Sequence, residues 1–370
     1  MTDFHADHQI IALADPDDLV AIHQQVQRVC FELKKRFSQL ELIGDYSGGT
    51  KSMSAALAMV LVDQEAAIHL VTGSRSNLVR LDRSDGSRPI AIGPLKASRL
   101  LNDQWPQLLA SHFYDRAAHS LRELRLMHQP SLDPSSLDAI QQLEEGLAVL
   151  MLWDQFHWQD ALERATSSHL LIEFPELLSW WQRVDAARAL LDKETTEVAA
   201  TGYELVQDLL LNADRRGRRG WYDDAVARLY RALELLAQTY IQLELGIDHQ
   251  SFWDDEQVRR DCQQWNIRRG VGGLYYWLRQ TEGATGLGGA AGRQWFQLRD
   301  LLDARNHSLL SHGLKPIRQA DWQALQGRVN NLVTRALQEA GCQQGAPPHQ
   351  LPASMILDLP QSRLLLGAQP

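Results

Sequence analysis

Residues 40–73 constrain the fold of this chain more than any other stretch, because they carry the pattern of a βαβ unit. Residues 40–44 and 67–73 are short apolar runs typical of β-strands, and residues 52–63 between them are rich in alanine, methionine and leucine. A helical crossover between two strands of one sheet makes those strands parallel. The pattern therefore predicts an α/β unit, followed over residues 77–92 by a hairpin with Asp85 and Gly86 in its turn.

The turn after the first predicted strand is a candidate ligand-binding loop, because ligands of open parallel sheets bind beyond the carboxyl ends of the strands. Paired glycines allow a ligand to approach the backbone, the free N–H groups of the following helix attract phosphate, and a lysine adds positive charge. The spacing is not that of a P-loop, and a tight turn without a ligand is the alternative interpretation. The loop reads Asp45-Tyr46-Ser47-Gly48-Gly49-Thr50-Lys51.

The rest of the chain has mainly helical periodicity. Residues 94–192 are interrupted near Pro130 and Pro134, and tryptophans in this part are predicted to pack in cores. Residues 283–292 contain five glycines and are predicted to form a loop, and the segment from residue 345 is predicted to be extended or poorly ordered. The predicted core tryptophans are Trp153, Trp158, Trp180 and Trp181.

A four-three alternation of apolar residues over 222–243 predicts a helix that buries one face in a bundle. The run Arg215-Arg216-Gly217-Arg218-Arg219 precedes this helix. Such a run is typical of a solvated turn, and the alternative is a contact with an RNA backbone. A last helix is predicted from the spacing of Trp322, Leu325, Val329, Leu332 and Ala336.

Arg305 and His312 are the candidate catalytic residues of a helix predicted over residues 294–313. They occupy the same face as Trp295, Leu298 and Leu302, since steps of three and four return to one side of a helix. A guanidinium on a largely apolar face is costly unless an anion meets it. The alternative is that the two polar residues only reach the surface at the helix end.

Composition restricts the class of protein. The formal net charge of −9 argues against general attraction to nucleic acid or to anionic membranes, so a contact with RNA would be local. The sequence has no pattern of a signal peptide or a membrane span, and its three scattered cysteines predict neither a disulfide framework nor a zinc site. We therefore expect a cytoplasmic protein.

The loop at 45–51 and the residues after it resemble the Asp-x-Thr-Gly-Gly-Thr-Lys-x-Met signature of CARF (CRISPR-associated Rossmann fold) sensor domains. The segment Thr72-Gly73-Ser74-Arg75 resembles the Val-Gly-Gly-Arg element of the same family. This resemblance implies a Rossmann-like parallel sheet, here expected to lack its first strand, and cyclic oligoadenylate as an allosteric activator bound across a homodimer. The implied ligand-binding residues are Asp45, Ser47, Gly48, Gly49, Thr50, Lys51 and Arg75.

Residues 222–234 together with Arg305-Asn306 and His312-Gly313 resemble the nuclease bundles called HEPN, whose signature is Arg, a polar residue, a spacing of four to six, and His. A sensor joined to such a nuclease is similar to the ancillary ribonucleases of type III CRISPR systems. The resemblance implies the following division of the chain: a CARF-like domain at 1–95, a helical connector at 96–195, an all-α HEPN domain at 196–344 and a proline-containing tail at 345–370.

The implied reaction is cleavage of single-stranded RNA by attack of the 2′-hydroxyl on the adjacent phosphorus, without a metal or another cofactor. His312 suits general acid or base catalysis, Arg305 can hold the non-bridging oxygens, and Asn306 would orient the arginine or the phosphate. Two alternatives remain open: a non-catalytic sensing and dimerisation protein, or a ribonuclease that acts independently of the messenger. Neither DNA nor a membrane is an expected partner.

Overall fold

The structure is a computed structural model that describes residues 10–76, 80–194, 200–293, 299, 303, 306, 314–339 and 347–367, with only the backbone described for 73–76 and 80–85. The chain divides into two compact units. Unit 1 comprises residues 1–100, 123–137 and 365–367, and unit 2 comprises 101–122, 138–364 and 368–370. Among the helices that the structure describes, none is long and apolar enough to cross a membrane. The predicted boundaries at 95, 195 and 344 stay predictions.

Unit 1 contains the predicted βαβ pattern. Its elements are α1 (Leu19–Arg36), β1 (Ile43–Asp45), α2 (Lys51–Asp63), β2 (Ala67–Ser76), β3 (Arg80–Pro89) and α3 (Gly93–Arg99). Strands β1 and β2 are parallel, with Gly44 opposite Ile68, because α2 provides the crossover. Leu61, Val62 and Ile68 are buried in the core between this helix and the sheet. The predicted fold class, an α/β unit followed by all-α structure, is confirmed.

The sheet is mixed, because its third strand is antiparallel, and the predicted position of the hairpin is wrong. Strand β2 is longer than expected and pairs with β3 in antiparallel fashion, so the hairpin consists of β2 and β3. Thr72 lies opposite Gly86 and Gly73 opposite Ser84, which leaves Asp85 unpaired in a β-bulge. The Asp-Gly pair thus produces a bulge within β3 and does not form the hairpin turn.

The segment between the two ends of the chain is helical, as predicted. Its helices are α4 (Trp105–Ala110), α5 (Tyr114–His128), α6 (Pro134–Asp154), α7 (Trp158–Ala165), α8 (His169–Ile172) and α9 (Pro175–Leu191), with a π-helical turn at Leu100–Gln104 and a 3₁₀ turn at Gln129–Ser131. Trp153 and Trp181 stack at 4.2 Å between ring centroids in unit 2, and Trp180 is also buried. The prediction of a core position is confirmed for Trp153, Trp180 and Trp181, whereas Trp158 is only half-buried.

The later part of unit 2 is a helical bundle. It contains α10 (Glu204–Arg218), α11 (Tyr222–Leu243), α12 (Glu256–Gln264), α13 (Val271–Glu282), α14 (Gly286–Arg293) and α15 (Gln319–Glu339). Its core includes the apolar face of α11, as the four-three alternation predicts, and the face of α15 that carries Trp322. The buried residues of α11 include Val226, Leu229, Leu233 and Leu236.

The glycine-rich stretch 283–292 is largely helical, so the prediction of a loop is wrong. Residues 286–293 form α14, and their glycines allow this helix to approach its neighbour closely. A Cβ atom at Gly288 would lie 2.4 Å from the backbone of Leu278, and the Gly288 N–H donates to Glu282 (2.8 Å). Glycine lowers helix propensity, but here the absence of side chains permits packing that a longer residue prevents.

The segment after residue 346 is also more ordered than expected. It contains a 3₁₀ helix (Ser354–Asp358) and α16 (Pro360–Leu365). Leu351 and Ile356 are buried, and the Tyr114 hydroxyl donates to the carbonyl of Pro352 (2.8 Å). The expectation of an extended or poorly ordered tail is therefore wrong for Ser354–Asp358 and Pro360–Leu365, which are helical because their apolar residues have a core to pack against. Residues 347–353 contain neither helix nor strand.

Candidate functional site

The loop that follows β1 is held to the sheet by its own polar side chains. Asp45 Oδ1 accepts a hydrogen bond from the Ser47 N–H (2.7 Å), and Ser47 Oγ accepts one from the Val71 N–H on β2 (2.7 Å). Thr50 caps α2, since its Oγ1 accepts from the Met53 N–H (3.2 Å) and the hydroxyl also donates to the carbonyl of Pro16 (2.5 Å). The loop thus has a fixed conformation at the end of β1.

The same loop presents backbone and positive charge to solvent. Gly48, Gly49 and Lys51 are exposed. Gly49 has a φ of +91°, which favours glycine, whereas a Cβ atom at Gly48 would meet nothing within 4 Å. The space over Gly48 and the start of α2 can therefore admit a ligand such as a phosphate group.

Sequence reasoning missed two side chains beside this loop. His69 lies opposite Asp45 in the β1–β2 register, and its Nδ1 is 3.2 Å from Ser87 Oγ on β3. Hydrogen bonding from Ser47, then from Ser87, and the nearby His69 hold the pKa of Asp45 below its usual value, so the loop carries an anionic carboxylate. The sequence alone did not bring Asp45, His69 and Ser87 together, because the pairing of β3 with β2 was wrongly predicted. The observed strand register places the three side chains beside one another.

The structure does not place Arg75 next to the other predicted ligand residues. Its backbone lies on β2, four residues beyond Val71 and thus about 13 Å further along an extended strand. Its side chain belongs to the part for which only the backbone is described.

Two of the three predicted catalytic residues, Arg305 and His312, lie outside the described residues. Asn306 is described and is both helical and exposed. The described residues 299 and 303, which precede it, are also helical and exposed. These positions agree with the predicted helix over 294–313, but the roles of Arg305, Asn306 and His312 stay predictions. Among the residues that the structure describes, no group of three or more His, Cys, Asp or Glu is placed to hold a metal ion.

Three of the four arginines in the basic run 215–219 belong to a buried ion cluster, so the interpretation of the run as a solvated turn is wrong for them. The fourth, Arg218, is exposed and pairs with Asp214. Asp154, at the end of α6, is the centre of this cluster. Its Oδ1 accepts from Arg215 Nε (2.7 Å), and its Oδ2 lies 2.7 Å from Arg219 Nη2 and 3.3 Å from Arg216 Nη2. The side chain of Arg215 is fully buried. These arginines therefore join the first helix of the bundle to the preceding helices of unit 2.

A neutral histidine and a tyrosine complete the arginine cluster. His112 Nδ1 is 2.7 Å from the Tyr114 hydroxyl, which itself donates to Pro352. Burial, reinforced by Arg215, Arg218 and Arg219, lowers the pKa of His112 to about 3. Burial also acts against ionisation of Asp154, but the three arginines around it outweigh this effect and lower its pKa. At neutral pH the cluster is thus a carboxylate among guanidiniums beside an uncharged imidazole.

Comparisons with known proteins identify the bundle. Residues 195–336 match the family model described as the Csm6 HEPN domain. In fold, the chain is similar to Enterococcus italicus Csm6 bound to cyclic hexa-2'-fluoro-hexa-dAMP, with a TM-score of 0.53 and 12% identity over 96% of this chain and 81% of that chain. Seventeen chains of solved structures match significantly, whereas a search of curated proteins finds no significant match.

The two comparisons confirm the resemblance inferred from sequence. The matched segment begins one residue from the predicted start of the HEPN domain and encloses Arg305, Asn306 and His312. The likeness in fold extends over the helices before it and over the small sheet. Residues 195–336 thus form a HEPN domain of the Csm6 type, within a chain that resembles the CRISPR-associated ribonucleases of type III systems.

Proposed function

We propose that this protein cleaves single-stranded RNA in a reaction that requires no metal ion. The observation that carries the proposal is the match of residues 195–336 to the Csm6 HEPN domain, because that segment contains the Arg305-Asn306 and His312 pattern. The 2′-hydroxyl attacks the adjacent phosphorus, and the products are a 2′,3′-cyclic phosphate and a 5′-hydroxyl.

The proposed roles follow from the chemistry of the three side chains. The imidazole of His312 transfers a proton to or from the reacting oxygens, because histidine titrates near neutral pH. Arg305 binds the non-bridging oxygens as negative charge accumulates on them, and Asn306 orients the arginine or the phosphate. One arginine and one histidine are few for this reaction, so we propose a homodimer in which two copies form a composite cleft.

Cyclic oligoadenylate is the proposed activator, bound at the loop 45–51. The exposed glycine backbone, the free N–H groups at the start of α2 and the charge of Lys51 suit a phosphate ligand. The similar protein from Enterococcus italicus has a cyclic hexa-adenylate analogue bound in its structure. Asp45 favours an adenine amino group or a ribose hydroxyl as its partner, since a carboxylate accepts hydrogen bonds and repels phosphate.

Cleavage of a fluorogenic single-stranded RNA in EDTA, with and without cyclic oligoadenylates, tests the enzymatic proposal. We expect cleavage by the wild-type protein and a loss of at least about 100-fold in Arg305→Ala and in His312→Ala, because each removes a group that acts on the reacting phosphate. His307→Ala is the matched control, since residue 307 faces another side of the predicted helix. Absence of cleavage under every condition would overturn the proposal, and cleavage restored only by a divalent ion would overturn its metal independence.

The role of the loop is tested with Gly48→Val and direct binding of cyclic oligoadenylates by calorimetry. A Cβ atom at Gly48 would meet no protein atom within 4 Å, so a side chain introduced there starts in open space. We therefore expect the valine to leave the fold unchanged and to exclude the ligand from the backbone. Loss of binding and of stimulation, with basal cleavage retained, is the expected result. Cleavage by the wild-type protein that no messenger stimulates would identify a messenger-independent ribonuclease instead.

A further inference from the structure

A cavity in the bundle of unit 2 has the chemistry of a nucleotide-binding site. It has a volume of about 310 Å³ and lies between α11 and the segment that follows it. Its floor is apolar, because Ile241, Phe252 and Leu274 are buried there. The remaining lining is aromatic, cationic or amide-bearing, and its principal members are Trp253, His249, Arg231 and Gln238.

The indole of Trp253 is held in place by its neighbours. Phe252 contacts it edge-on at 4.9 Å between ring centroids, and Phe252 in turn makes an edge contact with Trp277 at 5.1 Å. A Cβ atom at Gly273 would lie 3.1 Å from the indole and 2.0 Å from the carbonyl of Arg268, so the glycine allows this close approach. The half-buried indole is therefore a preorganised surface on which a base can stack.

The tautomer of His249 follows from its partner. Gln242 Nε2 donates to the carbonyl of Leu191 (2.8 Å), so the Gln242 oxygen faces His249 Nδ1 and accepts from it. Burial lowers the pKa of His249, which keeps the imidazole neutral near pH 7. Nε2 is then a hydrogen-bond acceptor, suited to a ribose 2′-hydroxyl or to the exocyclic amine of a base.

Arg231 supplies the positive charge at the rim. Its hydrogen bonds to Glu234 Oε2 (2.9 Å) and Gln238 Oε1 (2.8 Å) both come from Nη1. The side chain is 46% exposed, so its other donors face solvent and the cavity. A guanidinium held on one side by Glu234 can still bind a phosphate through its other side.

We propose that this cavity binds one nucleotide of single-stranded RNA, with the base against Trp253, the ribose or base edge at His249 Nε2 and the phosphate at Arg231. This inference rests on the proposed function, to which it adds a substrate-binding subsite separate from Arg305 and His312. A larger cavity of about 640 Å³ between α10 and α15 has no cation among the described residues that line it, so these residues do not supply the group that a phosphate needs.

Binding of a fluorescent RNA hexamer of mixed sequence, measured by anisotropy with the Arg305→Ala/His312→Ala protein, tests the subsite without cleavage. We expect Arg231→Gln to weaken binding about tenfold, through loss of a charge-assisted phosphate contact. Trp253→Leu should weaken it by a similar factor, through loss of stacking. Glu234→Gln should strengthen binding about twofold, because it releases Arg231 from a competing carboxylate.

Arg260→Gln is the matched control, because Arg260 is 68% exposed on α12 and outside the cavity. The subsite would be overturned by an Arg231→Gln affinity within twofold of the control together with no strengthening in Glu234→Gln. This outcome is decisive even if Trp253→Leu unfolds the protein. The two proposals fail separately. If the wild-type protein cleaves RNA but the Arg231 and Glu234 variants bind RNA as the control does, only the subsite proposal is wrong. If binding depends on Arg231 but no RNA is cleaved, only the enzymatic proposal is wrong.

Discussion

Asp154 is a buried carboxylate surrounded by four polar partners, and the pKa of the neighbouring His112 is strongly lowered. Three arginines and Asn212 donate to it or lie in ion-pair distance, and the site is almost completely buried. A buried ion pair contributes little when compared with apolar packing, but removal of one partner leaves uncompensated charge. Single residues of this cluster therefore have large effects on stability, although none of them is a proposed catalytic group.

Replacement of Asp154 by alanine should lower the free energy of unfolding by about 3–5 kcal/mol, since Arg215, Arg216 and Arg219 would lose their shared anion inside the protein. Urea denaturation followed by circular dichroism measures the change. Asp254→Ala is a matched control, because Asp254 and both of its arginine partners, Arg259 and Arg269, are exposed, so the loss of these ion pairs should cost far less stability. Equal losses in the two variants would contradict the importance of burial.

His112 should make unfolding dependent on pH. Below about pH 6.5 the unfolded chain takes up a proton at this residue, whereas the folded protein, with a pKa of about 3, does not. Because of this residue, the free energy of unfolding therefore decreases by about 1.4 kcal/mol for each pH unit as the pH falls from 6 to 4. Comparison of unfolding free energies across this range should show a shallower slope in His112→Asn, a replacement that tolerates the φ of +54°. Identical slopes in both proteins would refute the assignment.

At the scale of elements, glycines within helices have opposite roles that depend on what lies opposite them. Gly217 on α10 faces the indole of Trp322 on α15, and a Cβ atom there would lie 2.2 Å from the ring. Gly327 on α15 has no atom within 4 Å of such a Cβ. Close packing between helices thus requires the first glycine, whereas the second only weakens its helix.

Alanine substitutions at the two positions should change stability in opposite directions. We expect Gly217→Ala to destabilise the protein by about 1–3 kcal/mol through overpacking against Trp322, and Gly327→Ala to stabilise it by up to about 1 kcal/mol through helix propensity. Thermal unfolding of both variants beside the wild type measures these effects. A stabilising Gly217→Ala would mean that the two helices do not approach as closely as described.

At the scale of the whole molecule, residues distant in sequence complete unit 2. Gln350 accepts from Arg215 (2.5 Å), Pro352 accepts from Tyr114, and Leu351 and Ile356 are buried. The C-terminal segment thus packs against a cluster formed by α10 and by the start of α5. Its removal would expose both the apolar residues and the buried polar network.

Truncation after residue 349 should therefore lower the melting temperature by several degrees or prevent folding, because it removes Leu351, Ile356 and Leu359 from a core. Differential scanning calorimetry of the full chain and the truncated chain provides the measurement. Truncation after residue 367 is the control and should leave the melting temperature unchanged. A stable protein lacking residues 350–370 would show that this segment is dispensable for the fold.

Periodicity and local signatures were sufficient to predict the parallel β1–β2 pair, the buried faces of α11 and α15, and the family of residues 195–336. These features depend on residues close together in the chain, so local spacing reveals them. The proposed catalytic roles of Arg305, Asn306 and His312 likewise rest on the sequence and stay predictions. Tertiary structure decided what local patterns leave open, namely the role of an Asp-Gly pair, a glycine run or a basic run.

The physical reason is that the same residues behave differently according to what packs against them. Asp85 and Gly86 form a bulge because β2 continues alongside them, and the glycines of 286–293 form a helix because α13 lies close to it. Arg215, Arg216 and Arg219 are buried because Asp154, about 60 residues earlier, supplies their anion. His69, Ser87, His249 and Trp253 acquire candidate binding roles in the same way, through neighbours that only the folded chain brings together.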